Sequence, residues 1–273
     1  MNITNHKLEA DAGEAAIPFL NSPNQGGIIT PQYLIIHYTS GRSAASSIDW
    51  MMNPTAQASA QLVIGMDGKI TQLVSFNKKA FHAGISKWNG LNGMNGYSIG
   101  IELDNPGKLS RVGNNWTAWF GKVYPDDVVR VATHKHQNRE AGWHTFSEAQ
   151  IIACIAVSQL LVTKYNLKDI LGHEDISPLR KEDPGPAFPM EAFKSKVLGR
   201  NHDNGDMYKV KTANTNLRSG PGTQFDILGK LPAATKVEFI SSNLGWYQVF
   251  LIKKPAGIGE PEGWIHGSLL EKA

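Results

Sequence analysis

The feature that most constrains the fold is a change of pattern at a polar segment, residues 196–206, which carries two glycines. Before this segment, an apolar run at 33–36 predicts a buried strand, and a long apolar stretch at 147–165 predicts a core helix. After it, short apolar and aromatic runs alternate with turn signals, a pattern typical of a small all-β barrel. The chain has 273 residues, more than a typical single domain. We therefore predict an α/β domain at 1–195 with its core at about 30–195, a linker at 196–206 and an all-β domain at 207–273.

A second segment, at 171–188, gathers groups that can carry chemistry. It contains His173, Lys181 and Asp183, and prolines at three positions predict a loop rather than a helix. An imidazole and a carboxylate are metal ligands, and an ammonium can stabilise an oxyanion, so the set fits a metal hydrolase. Taken alone, however, a His and an Asp ten positions apart in a loop favour an ordinary solvated surface segment.

Two predicted strands supply further candidates. His37 follows the apolar run at 33–36, where it is either a metal ligand or a buried core histidine. At 98–103 the residues alternate, and one set, with Glu102, faces away from the predicted core. The neighbouring Gly100 predicts open space beside this carboxylate, as a catalytic group in a cleft requires. The alternative is an edge strand with Glu102 in solvent.

Four motifs follow one another along the chain: Ile-His-Tyr-Thr at 36–39, Phe-His-Ala-Gly at 81–84, Ser-Ile-Gly-Ile-Glu at 98–102 and Gly-His-x-Asp-Ile-x-Pro-x-Arg-Lys-x-Asp-Pro-Gly-Pro-Ala-Phe at 172–188. Over roughly residues 30–195, this set resembles the zinc-dependent N-acetylmuramoyl-L-alanine amidases, a family that also contains peptidoglycan-recognition proteins. The resemblance implies a mixed β-sheet flanked by helices.

The same resemblance implies roles for individual residues. Zinc (Zn²⁺) would be bound by His37, His173 and Asp183. Glu102 would act as general base, and Lys181 would assist at the oxyanion. One departure stands at Gln61, where many relatives carry a His; it concerns the groove and not the metal.

The 81–88 segment borders the cleft in the resemblance, so His82 and Trp88 are predicted substrate contacts. The implied reaction is hydrolysis of the amide between N-acetylmuramic acid and L-alanine in peptidoglycan. Non-catalytic members of the family usually lack a ligand, whereas this sequence has all three together with Glu102. An enzyme is therefore favoured over a recognition protein that binds peptidoglycan without cutting it. A cytosolic amidase that recycles anhydro-muropeptides is a further alternative.

The C-terminal part carries Asn-Leu-Arg-Ser-Gly-Pro-Gly at 216–222, Gly-Trp-Tyr at 245–247 and Gly-Trp-Ile-His-Gly-Ser-Leu-Leu at 263–270. These motifs resemble the bacterial Src-homology-3-like domains found beside wall hydrolases, which implies a wall- or peptide-binding module. Trp246, Tyr247 and Trp264 are candidates for its groove, although aromatic residues of small barrels more often belong to the core.

Composition limits the other classes of function. The net charge of +3 is mild, basic and aromatic residues do not cluster as in nucleic-acid-binding proteins, and no run approaches the roughly 18 apolar residues of a membrane span.

The single cysteine, Cys154, excludes an intrachain disulfide and is expected to pack in the long helix. The pair His134 and His136 lacks a nearby third ligand, so we expect a loop that could wall the cleft. We expect a monomer.

The first residues do not have the pattern of a secretory signal peptide, which favours the cytoplasm. A wall-binding tail has little use on soluble fragments, so the cell envelope or secretion is the preferred location and the cytoplasm the second.

Overall fold

The computed structural model describes residues 1–198, 207–243, 245–259 and 261–273. The chain divides into two compact units, Met1–Leu198 and Gly199–Ala273. Of the predicted linker at 196–206, residues 199–206 lie outside the described residues, and Lys196 and Val197 belong to the last helix of the first unit.

The first unit combines strands with four helices among its described residues. Its strands are β1 (Asn2–Thr4), β2 (Lys7–Glu9), β3 (Gln25–Ile28), β4 (Tyr33–Tyr38), β5 (Leu62–Ile64), β6 (Ile70–Gln72), β7 (Lys78–Ala80), β8 (Lys87–Trp88), β9 (Leu91–Asn92), β10 (Ser98–Leu103), β11 (Lys108–Val112), β12 (Asn115–Thr117), β13 (Val123–Tyr124), β14 (Val129–Thr133), β15 (Glu140–His144) and β16 (Asp169–Gly172). Its helices are α1 (Ala44–Met52), α2 (Glu148–Tyr165), α3 (His173–Ile176) and α4 (Met190–Val197), with short 3₁₀ turns at Pro54–Ala56, Met94–Gly96 and Asp126–Val128.

A five-stranded mixed sheet forms the centre of this unit, in the order β16-β4-β10-β5-β6. The first four strands run parallel, and β6 pairs antiparallel with β5. Strands buried on both faces need nearly continuous apolar sequence, which explains the run in β4. One face packs against α2 through Leu34, Ile36, Ile99, Ile101, Leu103, Cys154, Val157 and Leu161. The predicted mixed sheet with flanking helices is confirmed, and so is the alternation in β10.

The predicted core helix is α2, and its N-cap is Ser147, whose Oγ accepts a hydrogen bond from the backbone N–H of Gln150 at 3.1 Å. The side chain of Gln150 does not bond back to the backbone of Ser147, as it would in a capping box. Instead, the fully buried Gln150 amide donates to the carbonyls of Ile64 and Asp104, at 2.9 and 3.1 Å, and joins the helix to the sheet. Cys154 is buried in the core as expected, and burial raises the pKa of its thiol to about 12. No helix among the described residues is long and apolar enough to cross a membrane.

The expected loop at His134 and His136 is a turn, but the stretch on either side of it forms a second five-stranded sheet in the order β13-β12-β11-β15-β14. An antiparallel sheet needs only one apolar face, so short polar strands can form it. That face is a small core of Leu109, Trp116, Ala118 and Tyr124. His134 and His136 lie in the turn between β14 and β15.

The second unit is built from β-strands, with one 3₁₀ turn at Gly267–Leu269 among its described residues. The strands are β17 (Met207–Val210), β18 (Thr215–Arg218), β19 (Ile227–Leu231), β20 (Lys236–Asn243), β21 (Trp246–Leu251), β22 (Glu262–His266) and β23 (Leu270–Lys272). They form one antiparallel sheet in the order β19-β18-β22-β21-β20-β17-β23. Its buried core consists of Val210, Leu217, Leu231, Val237, Val249, Leu251, Ile258, Ile265 and Leu270. The predicted small all-β domain is confirmed.

The hydrogen bonds of Gln150 generate a stability prediction. Gln150→Leu keeps the volume of the side chain but removes its two bonds to buried carbonyls, so the free energy of unfolding should fall by about 1–3 kcal/mol. Ile152→Ala, at a position of α2 that is 59% exposed, is the control and should change it by less than about 0.5 kcal/mol. Urea denaturation measures both, and equal stabilities of Gln150→Leu and the parent protein would contradict the assigned role.

Candidate active site

The parallel strands bring the candidate residues to one edge of the central sheet. In the register of β4 and β10, His37 pairs with Glu102. In the register of β4 and β16, Ile36 pairs with Gly172, so His173, which follows β16, lies beside His37. The carboxyl ends of parallel strands are where α/β proteins place their ligands.

Three buried side chains converge at this edge. His37 Nδ1 lies 2.8 Å from Asp183 Oδ2 and 3.0 Å from His173 Nδ1, and His173 Nδ1 lies 3.1 Å from Asp183 Oδ2. Two imidazole nitrogens and a carboxylate oxygen around one point are a ligand set of a tetrahedral metal site with an open fourth position. In the described part of the chain, no other group of His, Cys, Asp and Glu has this arrangement.

The loop after β16 folds back on itself to bring Asp183 to the two histidines. The backbone N–H of Glu174 donates to the carbonyl of Asp183 at 2.9 Å, and the backbone N–H of Gly172 donates to Asp175 Oδ2 at 2.7 Å. Ligands ten residues apart thus become neighbours through local main-chain bonds.

Hydrogen bonds also fix which nitrogen of each histidine carries a proton. His173 Nε2 lies 3.0 Å from the carbonyl of Ala83, which can only accept, and 3.3 Å from Arg180 Nη2. The two hydrogens of that Nη2 are donated to the carbonyls of Ala83 and Ile85, so His173 Nε2 carries the proton and its Nδ1 keeps a lone pair. The hydroxyl of Ser98 donates to the carbonyl of Met94 at 2.6 Å and therefore accepts from His82 Nε2, at 3.3 Å.

His82 Nδ1 must then be the acceptor for His37 Nε2–H, 2.9 Å away. This leaves His37 Nδ1 without a proton. Both histidines consequently present a lone pair to the point where Asp183 Oδ2 lies.

The predicted open space beside Glu102 is filled. A Cβ on Gly100 would lie 2.5 Å from Cγ of the His82 ring, so only glycine permits this ring position. His82, predicted as a substrate contact, also lines the cleft, but its ring nitrogens bond to His37 and Ser98. Gln61 lies on the core side of this arrangement, where it accepts from the backbone N–H of Gly100 at 2.7 Å and donates to the carbonyl of Lys78 at 2.9 Å.

Burial sets the protonation states of the ligands. It lowers the pKa of His37 to about 4, although the adjacent carboxylate of Asp183 opposes the shift, so His37 is neutral near pH 7. Burial alone would raise the pKa of Asp183, but the adjacent imidazoles of His173 and His37 outweigh it and hold that pKa well below its usual range. A neutral imidazole and an ionised carboxylate are the forms that bind metals.

A cleft of about 430 Å³ opens at His173 and Asp183, two of the three ligand candidates. Its lining comprises Tyr38, Thr39, Ser40, Trp50, Met51, Ala58, Ser59, Phe81, His82, Glu102, His173, Arg180, Lys181, Glu182 and Asp183. The structure thus brings Glu102 and Lys181 to the same cleft as these two candidates, and His37 contacts both of them.

Glu102 lies on a central strand, so the alternative of an edge strand in solvent is wrong. Burial, with a smaller contribution from the charge of Asp183, raises the pKa of the Glu102 carboxyl to about 8, against the opposing charge of Lys181. Its Oε2 is buried and has no hydrogen-bond partner among the described residues. This atom is therefore available to bind a proton or a water molecule that enters the cleft.

The other aromatic residues that were predicted to contact substrate or the wall do not line this cleft. Trp88 packs beside the cluster of Tyr33 and Ile35 and does not line the described cleft. In the second unit, Trp246 lines a groove with Arg218 and His266, Trp264 pairs with Gln248 in the sheet, and Tyr247 packs on the core.

His134 and His136 do not join the metal-ligand cluster. His134 Nε2 lies 2.6 Å from Glu174 Oε2, and Lys135 Nζ lies 2.8 Å from Glu174 Oε1. The turn between β14 and β15 thereby holds α3, the short helix that contains His173 and Glu174. Sequence spacing gave no signal for this long-range contact.

Comparison with known proteins agrees with the site. Residues 28–186 match the family model described as N-acetylmuramoyl-L-alanine amidase, and residues 213–271 match that of the bacterial SH3 domain. The chain is 34% identical over 133 residues to N-acetylmuramoyl-L-alanine amidase AmiD of Escherichia coli, which covers 48% of this chain and 39% of that protein. It is 32% identical over 143 residues to 1,6-anhydro-N-acetylmuramyl-L-alanine amidase AmpD of the same species, covering 52% of this chain and 59% of the relative.

Among solved structures, the chain is similar to that of AmiD from E. coli in complex with the substrate anhydro-N-acetylmuramic acid-L-Ala-D-gamma-Glu-L-Lys. The TM-score is 0.48 and the identity 27%, over 71% of this chain and 65% of that one. The amidase family model covers more than half of the 273 residues. The chain therefore belongs to the N-acetylmuramoyl-L-alanine amidase family and carries, after its amidase part, a bacterial SH3 domain.

Proposed function

We propose that this chain is a zinc-dependent amidase that hydrolyses the amide between N-acetylmuramic acid and the L-alanine of the peptidoglycan stem peptide. The observation that carries the proposal is the convergence of His37, His173 and Asp183 beneath a cleft that also contains Glu102 and Lys181. The chain spans only 39% and 59% of the two curated relatives, so the activity of the whole protein is proposed on these residues.

The residues present fit zinc. Nδ1 of His37, Nδ1 of His173 and a carboxylate oxygen of Asp183 would bind it, and the open fourth position fits a catalytic rather than a structural site. When bound, zinc supplies a Lewis acid that polarises a carbonyl and acidifies water.

Glu102 would act as general base and then as general acid. A carboxyl whose pKa lies near 8 holds a proton well enough to take it from an attacking water and release it to the leaving amine. The unpartnered Oε2 is the atom at which this proton would be held.

Lys181 would stabilise the negative charge that develops on the carbonyl oxygen. Its side chain lines the cleft, and its charge acts on both Glu102 and His37. The positive charge therefore lies near the base and one ligand, as an oxyanion site requires.

The complete ligand set and Glu102 support the enzyme over a recognition protein that binds peptidoglycan without cutting it.

We further propose that the substrate is the wall polymer rather than a soluble muropeptide, because the chain carries a bacterial SH3 domain beside the amidase part. We also propose a location in the cell envelope or outside the cell, where that polymer lies, and a monomeric state. Trp246, in the groove of the second unit, would contact the wall.

The reaction is tested by digestion of purified peptidoglycan followed by mass spectrometry. Free stem peptides that begin with L-alanine should appear, vanish with a zinc chelator and return with zinc. Glu102→Gln should bind zinc but lower kcat by about 10²–10⁴-fold. The exposed carboxylate of β15 provides the control Glu140→Gln, which should remain active. Full activity of zinc-loaded Glu102→Gln, or products that persist during chelation, would contradict the mechanism.

The hydrogen bonds of His82 generate a prediction about metal affinity. His82→Ala removes the acceptor for His37 Nε2–H, so zinc affinity should fall by about 10–100-fold. His82→Asn, whose amide oxygen can accept that proton, should recover part of the loss. Competition with a chromophoric chelator measures the affinity, and His266→Ala in the second unit is the control. An unchanged affinity in folded His82→Ala would exclude this role.

Wall binding by the second unit is tested by Trp246→Ala in the full-length protein. Cosedimentation with sacculi should weaken several-fold, because truncation of a tryptophan that contacts a binding partner costs about 1 kcal/mol or more. Cleavage of a soluble muramoyl peptide should stay the same. Ile252→Ala, at a 45% exposed position of the same unit, is the control. Undiminished sedimentation of Trp246→Ala would reject this tryptophan as a wall contact.

A further inference from the structure

Two tryptophans with exposed rings lie at or beside the cleft. Trp50, in α1, lines the cleft and is 58% exposed. Trp119, between β12 and β13, is 74% exposed, and its Nε1–H donates to the carbonyl of Ser40 at 2.8 Å. Ser40 itself lines the cleft. The turn between β12 and β13 therefore brings an exposed aromatic side chain next to a residue of the cleft.

The ring of Trp119 is held in place although it is exposed. Its single polar atom is bonded to Ser40, and its ring packs edge-on against Phe120, with centroids 5.5 Å apart and planes at 87°. The guanidinium of Arg42 lies 5.5 Å from the centre of the Phe120 ring. Single exposed apolar residues are common, but an exposed indole held in one orientation beside a cleft, with a second exposed indole in the lining of that cleft, is a candidate ligand-binding surface.

This surface lies close to the proposed reaction. Ser40 is three residues beyond His37, so their Cα atoms are at most about 10 Å apart. A group bound on Trp119 would therefore be a near neighbour of the cleaved amide.

Charged and uncharged lining residues of the cleft come from different segments of the chain. The segment 38–59 contributes only uncharged lining residues, among them Thr39, Ser40 and Trp50. The segment 180–183 contributes only charged lining residues. Stem peptides carry charged groups and glycan rings carry neutral hydroxyls, so the uncharged side matches the glycan.

We propose that Trp50 and Trp119 form a glycan subsite, a platform on which pyranose rings of the polymer next to the cleaved muramoyl unit are bound. The apolar C–H face of a pyranose carries slight positive charge and packs on the negative face of an indole. The inference rests on the proposed amidase function. It adds that the protein recognises the sugar rings next to the cleaved muramoyl unit, and not only the amide that is cut. It explains why the Trp119 ring is exposed although its N–H is bonded to the carbonyl of Ser40.

The direct test is an NMR titration of the full-length protein with peptide-free glycan chains. The indole N–H signals of the tryptophans report the binding. The Trp119 signal is identified by its loss in Trp119→Phe. A saturable shift of this signal supports the subsite, whether or not the second unit also binds glycan. An unmoved Trp119 signal at millimolar glycan overturns it, and this outcome does not depend on amidase activity.

Kinetics separate the subsite from the proposed function. Trp119→Ala should raise KM about tenfold for a muramoyl peptide that carries further sugar units, and leave kcat/KM unchanged for one with a single sugar. Val123→Ala, at a 52% exposed position of the same sheet, is the matched control and should alter neither value. If the parent protein cleaves neither substrate, the amidase proposal fails. If it cleaves both and Trp119→Ala changes neither KM, the subsite is rejected and the amidase proposal stands.

Discussion

The site depends on one constraint: both histidines must present an unprotonated Nδ1 to the same point. The structure meets it through hydrogen bonds made by the opposite ring nitrogens. His173 is fixed by a main-chain carbonyl, and His37 by a chain of side chains that runs through His82 and Ser98 to the carbonyl of Met94. A histidine bound only at its metal-facing nitrogen could rotate or change tautomer, whereas these two cannot without losing a buried hydrogen bond.

The rest of the central fold serves this arrangement. Gly100 leaves room for the ring of His82, and the buried amide of Gln61 holds the strand at that position. The second sheet acts from the other side through His134 and Lys135, which bind Glu174, the residue next to His173. Burial makes the same region unfavourable for charge, as the raised pKa of Glu102 shows. A carboxyl that is costly to ionise would be retained for its chemistry and not for stability.

The sequence allowed correct predictions for the parts of this structure that depend on local residue patterns or on a specific motif. The apolar run of β4 and the alternation in β10 predicted the correct faces, and the motif that contains His173 and Asp183 predicted two of the converging side chains. The parts it missed arise from tertiary contacts. The position of the His82 ring over Gly100 follows from the packing of β10 against a distant loop, and Gln150 bonds to the sheet although its spacing from Ser147 fits a capping box. The second sheet was missed because its strands are short and polar on one face, and the position of Trp119 depends on that sheet.

The central claim is that the deprotonated Nδ1 atoms of His37 and His173, together with Asp183, form a metal site. A crystal structure of the zinc-loaded protein, with anomalous scattering recorded at the zinc edge, tests this most directly. The account predicts a single zinc ion about 2.0–2.2 Å from both Nδ1 atoms and from an oxygen of Asp183, with the bonds from His37 to His82 and from His173 to Ala83 intact. Zinc bound through Nε2 of either histidine, or an anomalous peak elsewhere and none at these three residues, would contradict it.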